Sequence, residues 1–320
     1  MKPKFIAYGE LTLLALGIAL FLWWIIPEAP KQETEIAPVI ATTSKVAFFP
    51  DVEIEAKAAY VYDAAEDRAL YEKDPELQWP LASLTKLMSA LTASTIVPDY
   101  MLVRITPDDL REEGDSGLYV SEEWNIRKLI DYSLVVSSND GIRAVASVAG
   151  SQIATSTYTS PELRFIDEMN RKAREIGLTE TYFLNQSGLD VSEALSGGYG
   201  SAKDMAILVD YILKKDPHLL EATTFDTINI DSKLLVHTAT NTNKAIPHIP
   251  NILASKTGFT DLSGGNVVVA WNAGIDHPII ISVLGSSYDG RFEDLSKLVD
   301  ATLVYLGTAS TSASTSVSVR

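Results

Sequence analysis

A serine and a lysine lie three positions apart in an otherwise apolar run, PLASLTKLMSAL, at positions 80–91. Residues at this spacing share one face of a helix, so the Lys86 amine can reach the Ser83 hydroxyl. A lysine that is shielded from water, or that lies beside another cation, has a lowered pKa and can accept the serine proton. The pair is therefore a candidate nucleophile and base, although a serine and a lysine at this spacing also occur by chance.

A second short motif, Ser137-Ser138-Asn139, falls at a break between two predicted helices. From such a turn the Ser137 hydroxyl can relay a proton and the Asn139 amide can bind a peptide group of a substrate. The alternative is structural, because Ser138 or Asn139 could simply cap the helix that follows.

A third motif, Lys256-Thr257-Gly258, lies at the start of a strand-rich stretch. The lysine adds positive charge, the threonine hydroxyl can bind a carboxylate, and the glycine lets a substrate approach the backbone. This tripeptide is also common by itself, so the context of the three motifs decides their meaning.

The elements that must position these motifs follow from periodicity and from capping residues. Two short strands with a turn at 64–67 precede the first motif, and three antiparallel strands and a closing helix lie in the last third of the chain. Helices are predicted at 83–94, 121–136, 140–149, 160–177, 201–215 and 292–306. Ser121 and Ser160 are the predicted N-caps of the second and fourth of these helices, and Gly177 ends the fourth. This order predicts an α+β unit whose antiparallel sheet joins both ends of the chain around an all-helical middle region.

The N-terminal segment is predicted to anchor the chain in a membrane. Residues 11–26 are apolar, Lys2 and Lys4 precede them, and Trp23 and Trp24 lie near the far end. Counted from residue 5, the stretch is long enough to cross a bilayer, and the lysines keep residues 1–10 cytoplasmic. A cleaved signal peptide is the alternative, but no small-residue cleavage site directly follows the run. We therefore expect a single-pass protein of the cell membrane.

The remaining boundaries follow from composition. Residues 27–50 are rich in Pro, Glu, Thr and Ala and are predicted to form a linker outside the cytoplasm. Residues 51–307 are predicted to form one folded unit, the candidate catalytic domain, and residues 308–320, which are small and polar, a disordered tail.

Charge and composition exclude several classes of function. The net charge of −16 argues against nucleic acid as a partner. The chain has no cysteine, and its four histidines are scattered without a pair at metal-ligand spacing. We predict no metal and no organic cofactor.

Taken in this order, the three motifs resemble those of the active-site serine penicillin-recognising enzymes. The chain is similar in particular to the low-molecular-mass penicillin-binding proteins, the D-alanyl-D-alanine carboxypeptidases. The similarity runs from about residue 56 to 306 and includes PLASLTKLMSAL, FIDEMNRKAREIGLTETYFLNQSGLD, YGSAKDMA, NTN and SKTGFTDLSGGNVVVA. It implies a β-lactamase/transpeptidase-like fold, a peptidoglycan stem peptide ending in D-Ala-D-Ala as substrate, and β-lactam antibiotics as covalent inhibitors.

The resemblance also implies the role of each catalytic side chain. Ser83 would attack the carbonyl between two D-alanines and form an acyl-enzyme, which water then hydrolyses. Lys86 would be the base that activates Ser83, and Ser137 would pass a proton to the leaving amine.

Substrate binding is assigned in the same way. Asn139 would bind the substrate's backbone amide, and Lys256 would supply electrostatic stabilisation. Thr257, which precedes Gly258 in the third motif, would hold the terminal carboxylate. The backbone N–H groups of Ser83 and Phe259 would form the oxyanion hole. Arg291 is a further candidate for the carboxylate, but an exposed loop arginine is the more ordinary interpretation.

Three other functions stay open at the level of sequence. A D,D-endopeptidase that cuts peptide cross-links would use the same residues. A β-lactamase would need a glutamate for deacylation, and Glu168 is near in sequence but falls within a predicted helix. A non-catalytic wall-binding module is disfavoured because every motif side chain is present.

Overall fold

The computed structural model describes residues 48–114, 116–154 and 159–317, with side chains as far as residue 309. The predicted membrane segment at 11–26, the preceding residues 1–10 and nearly all of the linker at 27–50 lie outside these ranges. Within the ranges, none of the helices combines the length and the hydropathy that crossing a bilayer requires.

The described residues form twelve strands and six α-helices. The strands are β1 Ala58–Asp63, β2 Arg68–Lys73, β3 Trp79–Pro80, β4 Leu102–Arg104, β5 Glu123–Asn125, β6 Tyr182–Phe183, β7 Gly198–Gly200, β8 Thr227–Asp231, β9 Val236–Thr240, β10 Ile252–Thr260, β11 Gly264–Asn272 and β12 Pro278–Ser286. The helices are α1 Thr85–Ile96, α2 Ile126–Val135, α3 Asn139–Ser151, α4 Pro161–Ile176, α5 Ala202–Lys215 and α6 Gly290–Val317. Short 3₁₀ turns cover Ala82–Leu84, Asp109–Arg111, Pro217–Thr224 and Ile246–His248.

The main sheet has five antiparallel strands in the order β10-β11-β12-β1-β2. Strand β1 pairs with β2 on one side and with β12 on the other, so the early hairpin joins the late strands directly. The predicted α+β arrangement, with a sheet that unites both halves of the chain, is therefore confirmed. Strand β10 is an edge strand, and its free edge faces the helical region that carries the other motifs.

Alternating side chains divide the core into two layers, one on each face of the sheet. In β11, Val267, Val269 and Trp271 pack with Leu295 of α6. The intervening residues, such as Val268, point to the opposite face and join the core of the helical region. Because successive side chains of a strand point to opposite faces, a run that is apolar at every position is what a sheet covered on both sides needs.

Two helix boundaries differ from the sequence predictions. Ser121 does not cap α2, because residues 123–125 pair with β4 as β5 and the helix begins only at Ile126. Its cap is Asn125, whose side chain accepts a hydrogen bond from the backbone N–H of Arg127 at 3.0 Å. Strand pairing therefore displaces the start of the helix by one turn.

The last helix also differs from its prediction. Helix α6 continues past residue 306 to Val317, into the segment predicted as a disordered tail at 308–320. After Gly307 the sequence up to residue 317 has neither glycine nor proline, so it holds no strong local signal that ends a helix.

Candidate active site

The serine of the first motif lies in the 3₁₀ turn that leads into α1, and the lysine lies in the first turn of the helix itself. The preceding residue, Ala82, has a φ of 47°, which is uncommon for a residue with a side chain. Such strain is typical of positions that the surrounding structure holds for function. Leu84 and Leu87, on the other side of the segment, are fully buried and fix it in the core.

Lys86 is buried and its amine makes three polar contacts. Nζ donates to Ser83 Oγ at 2.7 Å, to Asn139 Oδ1 at 2.7 Å and to the carbonyl oxygen of Ser187 at 3.0 Å. Burial lowers the pKa of Lys86 to about 7, and the Glu112 carboxylate acts in the opposite direction. A substantial fraction of the amine is therefore neutral near pH 7 and able to accept a proton, in direct contact with the Ser83 hydroxyl.

The second motif connects α2 to α3, and its three residues have separate tasks. Ser138 is the N-cap of α3, and its hydroxyl accepts a hydrogen bond from the Gly141 N–H at 2.9 Å. Ser137 has a φ of 61°, and its hydroxyl accepts a hydrogen bond from Lys256 Nζ at 3.0 Å. The capping alternative thus holds for Ser138, while Ser137 contacts Lys256 and Asn139 contacts Lys86.

The third motif lies in the middle of edge strand β10, and not at its start as the sequence suggested. Lys256 is buried, and Nζ also donates to the carbonyl oxygen of Thr257 at 2.8 Å. Burial and the neighbouring charges of Lys86 and Arg291 lower the pKa of Lys256 well below its ordinary range. The Thr257 hydroxyl lies 2.6 Å from that of Thr242, which is the central residue of the NTN stretch and lies outside the three motifs.

Gly258 lets β10 pack against the nucleophile turn. A Cβ added there would lie 2.8 Å from the carbonyl oxygen of Leu81 and 3.0 Å from the backbone nitrogen of Ser83. The glycine therefore brings the strand close to the turn that carries Ser83. The oxyanion hole formed by the backbone N–H groups of Ser83 and Phe259 remains a prediction.

The more ordinary interpretation of Arg291, as an exposed loop residue, is wrong. The side chain is buried in the first turn of α6, and Nη1 donates to the carbonyl oxygen of Gly258 at 2.7 Å. Its guanidinium also lies 4.6 Å from the centre of the Tyr288 ring. The start of α6 turns this residue inward, which local sequence does not reveal.

The motifs meet at one cleft with a volume of about 230 Å³. Ser83, Ser137, Asn139, Thr257, Gly258, Phe259 and Arg291 all line it. Lys86 and Lys256 are buried and contact two of these hydroxyls, those of Ser83 and Ser137. Among the residues that the structure describes, no cluster of three or more histidine and carboxylate side chains is arranged to hold a metal ion.

A serine hydroxyl in contact with a desolvated lysine amine at an open cleft is an arrangement that can carry out acyl transfer. The chain belongs to the D-alanyl-D-alanine carboxypeptidase family of serine peptidases, whose model matches residues 42–287.

Individual relatives agree with this assignment. The D-alanyl-D-alanine carboxypeptidase DacF of Bacillus subtilis is 30% identical over 64% of this chain and 51% of the relative, so the chain spans about half its length. The D-alanyl-D-alanine endopeptidase of Escherichia coli is 27% identical over 83% of this chain and 78% of the relative. Penicillin-binding protein D2 of Listeria monocytogenes, in its ampicillin-bound form, is 27% identical with a TM-score of 0.66, over 79% of this chain and 99% of that protein.

Proposed function

We propose that the protein is a serine D-alanyl-D-alanine carboxypeptidase that removes the terminal D-alanine from stem peptides of peptidoglycan. The observation that carries the proposal is the 2.7 Å contact between Lys86 Nζ and Ser83 Oγ at the cleft, with a lysine pKa of about 7. Family membership and the names of the relatives give the substrate class.

Acylation follows from the contacts. Lys86 accepts the Ser83 proton, and Oγ bonds to the carbonyl carbon between the two D-alanines. The carbonyl electron pair moves to the oxygen, which the Ser83 and Phe259 N–H groups stabilise. When the carbonyl re-forms and the C–N bond breaks, Ser137 relays the proton taken up by Lys86 to the leaving amine, and D-alanine departs. Water then hydrolyses the ester and frees Ser83.

Substrate orientation is assigned to groups that line the same cleft. The terminal carboxylate is held by Thr257 and Arg291, and the peptide amide by Asn139. The buried Lys256 contacts Ser137 at 3.0 Å and keeps that hydroxyl in place for proton transfer. β-Lactam antibiotics acylate Ser83 and remain bound as covalent inhibitors.

A D,D-endopeptidase is the second candidate, because relatives with that name share the family. Product analysis separates the two. Incubation with a pentapeptide stem releases D-alanine from a carboxypeptidase, whereas cleavage of a cross-linked dimer indicates an endopeptidase. Failure of labelled penicillin to modify Ser83 in folded protein would exclude both.

A β-lactamase is disfavoured by the position of Glu168. This residue lies in α4, and its carboxylate binds Arg171 Nε at 2.7 Å. It does not line the catalytic cleft. The acyl-enzyme formed with penicillin should therefore be long-lived.

The proposed location is the cell membrane, with the catalytic domain outside the cytoplasm. The support is the apolar run at 11–26, the two lysines before it and the linker at 27–50. Peptidoglycan lies on that side of the membrane, so this orientation brings the enzyme to its substrate.

A further inference from the structure

A short segment, Glu112 to Gly114, meets the active site beside Asn139. The carbonyl oxygen of Glu113 accepts a hydrogen bond from Asn139 Nδ2 at 2.6 Å. One residue earlier, the Glu112 carboxylate binds Arg143 Nη1, also at 2.6 Å. Both side chains of this ion pair are largely buried, with 19% of Glu112 and 31% of Arg143 exposed.

The two contacts tie the segment to a single helix. Asn139 and Arg143 are four residues apart in α3 and therefore lie on the same face, one turn from each other. Adjacent residues of the segment bind them, so the segment is held at two points. The amide of Asn139 is fixed at both ends, because its Oδ1 accepts from Lys86 while its Nδ2 donates to Glu113.

We propose that the Glu112–Arg143 ion pair is a positioning pair for the catalytic lysine, because it fixes the segment that orients Asn139 and holds a carboxylate near the Lys86 amine. The inference rests on the proposed function, in which Lys86 is the base. It adds two positioning residues, neither of which belongs to the three motifs or lines the catalytic cleft.

The charges around Lys86 explain why the carboxylate matters. Burial lowers the pKa of Lys86, and Glu112 is the charged group that opposes this effect. Lys86 in turn lowers the pKa of Lys256 on β10, because two ammonium groups near one another repel. Lys86 has three uncharged polar partners, which are the Asn139 amide, the Ser83 hydroxyl and the Ser187 carbonyl. Glu112 therefore limits how far the lysine's affinity for a proton falls.

The charge and the position can be separated by two substitutions in the full-length protein. In Glu112→Gln the amide oxygen can still accept from Arg143, so the segment stays in place but the charge is gone. The pH at half-maximal acylation by labelled penicillin should then be lower than in the wild type. One pH unit below the wild-type midpoint, the variant should reach a fraction of its plateau rate that is about threefold larger than the fraction reached by the wild type. The plateau itself should stay within about twofold of wild type.

Arg143→Met removes the tie and leaves the apolar bulk of the side chain. Asn139 then loses its fixed orientation, and we expect the plateau of the acylation rate to fall about tenfold. Arg143→Lys keeps a cation that can reach Glu112 and should restore most of the plateau. The matched control is Asp108→Asn, which neutralises an exposed carboxylate that pairs with Arg111 in the same loop. It should change neither the midpoint nor the plateau.

The inference is wrong if Glu112→Gln keeps the wild-type midpoint, or if Asp108→Asn shifts the midpoint as much. A wild-type plateau in Arg143→Met would exclude the positioning role. Thermal unfolding identifies a variant that does not fold. If Arg143→Met does not fold, the pH midpoint of acylation in Glu112→Gln alone decides whether the inference holds. Absence of acylation in the wild-type protein would instead contradict the proposed function.

Discussion

Two buried lysines flank the cleft, and their surroundings give them different tasks. Lys86 touches the nucleophile, whereas Lys256 touches Ser137 and lies close enough to Lys86 and Arg291 for their charges to lower its pKa. A bound carboxylate adds a negative charge beside this group and favours the protonated form of Lys256. Substrate binding and the protonation of the site are therefore coupled.

The pH dependence of acylation tests Lys86 as the base. Because burial lowers the pKa of Lys86 to about 7, the amine is protonated and inactive below this pH and neutral above it. The second-order rate constant for labelled penicillin should rise as the pH rises through about 7 and then level off. Lys86→Ala should lower the plateau by about 10²–10⁴-fold while thermal unfolding still shows a folded protein. Retained acylation in this variant would remove Lys86 as the base.

Arg291 can be tested as a carboxylate ligand against a purely structural role. Its Nη1 already supports β10 through the Gly258 carbonyl, so a change in rate alone does not distinguish the two. The comparison is between a peptide with a free C-terminal carboxylate and the same peptide with a C-terminal amide. In Arg291→Ala, kcat/KM for the carboxylate should fall about 10- to 100-fold more than for the amide. Equal losses for both peptides would leave Arg291 with a structural role only.

At the scale of elements, local chemistry predicts what lies within a few residues of a signal. Ser160, Pro161 and Gly177 mark both ends of α4, as predicted, because capping is a local interaction. The hairpin β8–β9 is not among the sequence predictions, although polar and apolar side chains alternate along residues 227–231. Ser121 was assigned as a cap wrongly, because pairing with β4 is a contact between distant residues that local propensity does not contain.

The loop behind the nucleophile depends on a glycine. Gly188 has a φ of 81°, and a Cβ there would lie 1.8 Å from the carbonyl oxygen of Ala82. Gly188→Ala should therefore displace the turn before Ser83, lower the free energy of unfolding by about 2–4 kcal/mol and reduce acylation by penicillin. Gly177→Ala is the matched control, with a φ of 86° but no atom within 4 Å of the added Cβ. It should cost only about 1 kcal/mol, measured by urea unfolding, and keep acylation at the wild-type rate.

A carboxylate on α2 gives the stability of the protein a pH dependence. Burial raises the pKa of Asp131 to about 6, although Arg127 acts against this. In the unfolded chain an aspartate titrates near its ordinary value of about 4. The stabilising contribution of this group is thus complete below pH ~4 and is lost as the pH rises through about 6.

Asp131→Asn removes this titration. Its free energy of unfolding should exceed that of the wild type by about 1–2 kcal/mol at pH 8, and the difference should shrink as the pH falls towards 4. Arg127 keeps Asp99 and Asp216 as partners at 3.8 Å and 3.3 Å in this variant. Urea unfolding at several pH values measures the effect, and a difference that does not change with pH would contradict it.

At the scale of the whole molecule, the site is assembled from segments that are far apart in sequence. Ser83 precedes α1, Ser137 lies between two helices and Lys256 lies on the edge strand. The order and the local context of the three motifs carry the family resemblance, and that resemblance predicts that these side chains meet. The Ser187 carbonyl was not predictable, because it is a backbone atom. Arg291 was a candidate from the sequence, but its burial follows only once α6 packs against the sheet.

The N-terminal segment is tested by comparing the full chain with one that begins at Phe48. Because the apolar run at 11–26 is the predicted anchor, the full chain should stay with the membrane fraction in high salt and leave it only in detergent. The shorter chain should be recovered without detergent and should acylate with penicillin at the same rate, since every described site residue follows position 48. Protease added to intact spheroplasts should digest the catalytic domain of the full chain, because the two N-terminal lysines predict that the other end stays in the cytoplasm. A domain protected in spheroplasts but digested after lysis would reverse the proposed orientation, and full extraction by salt would contradict the anchor.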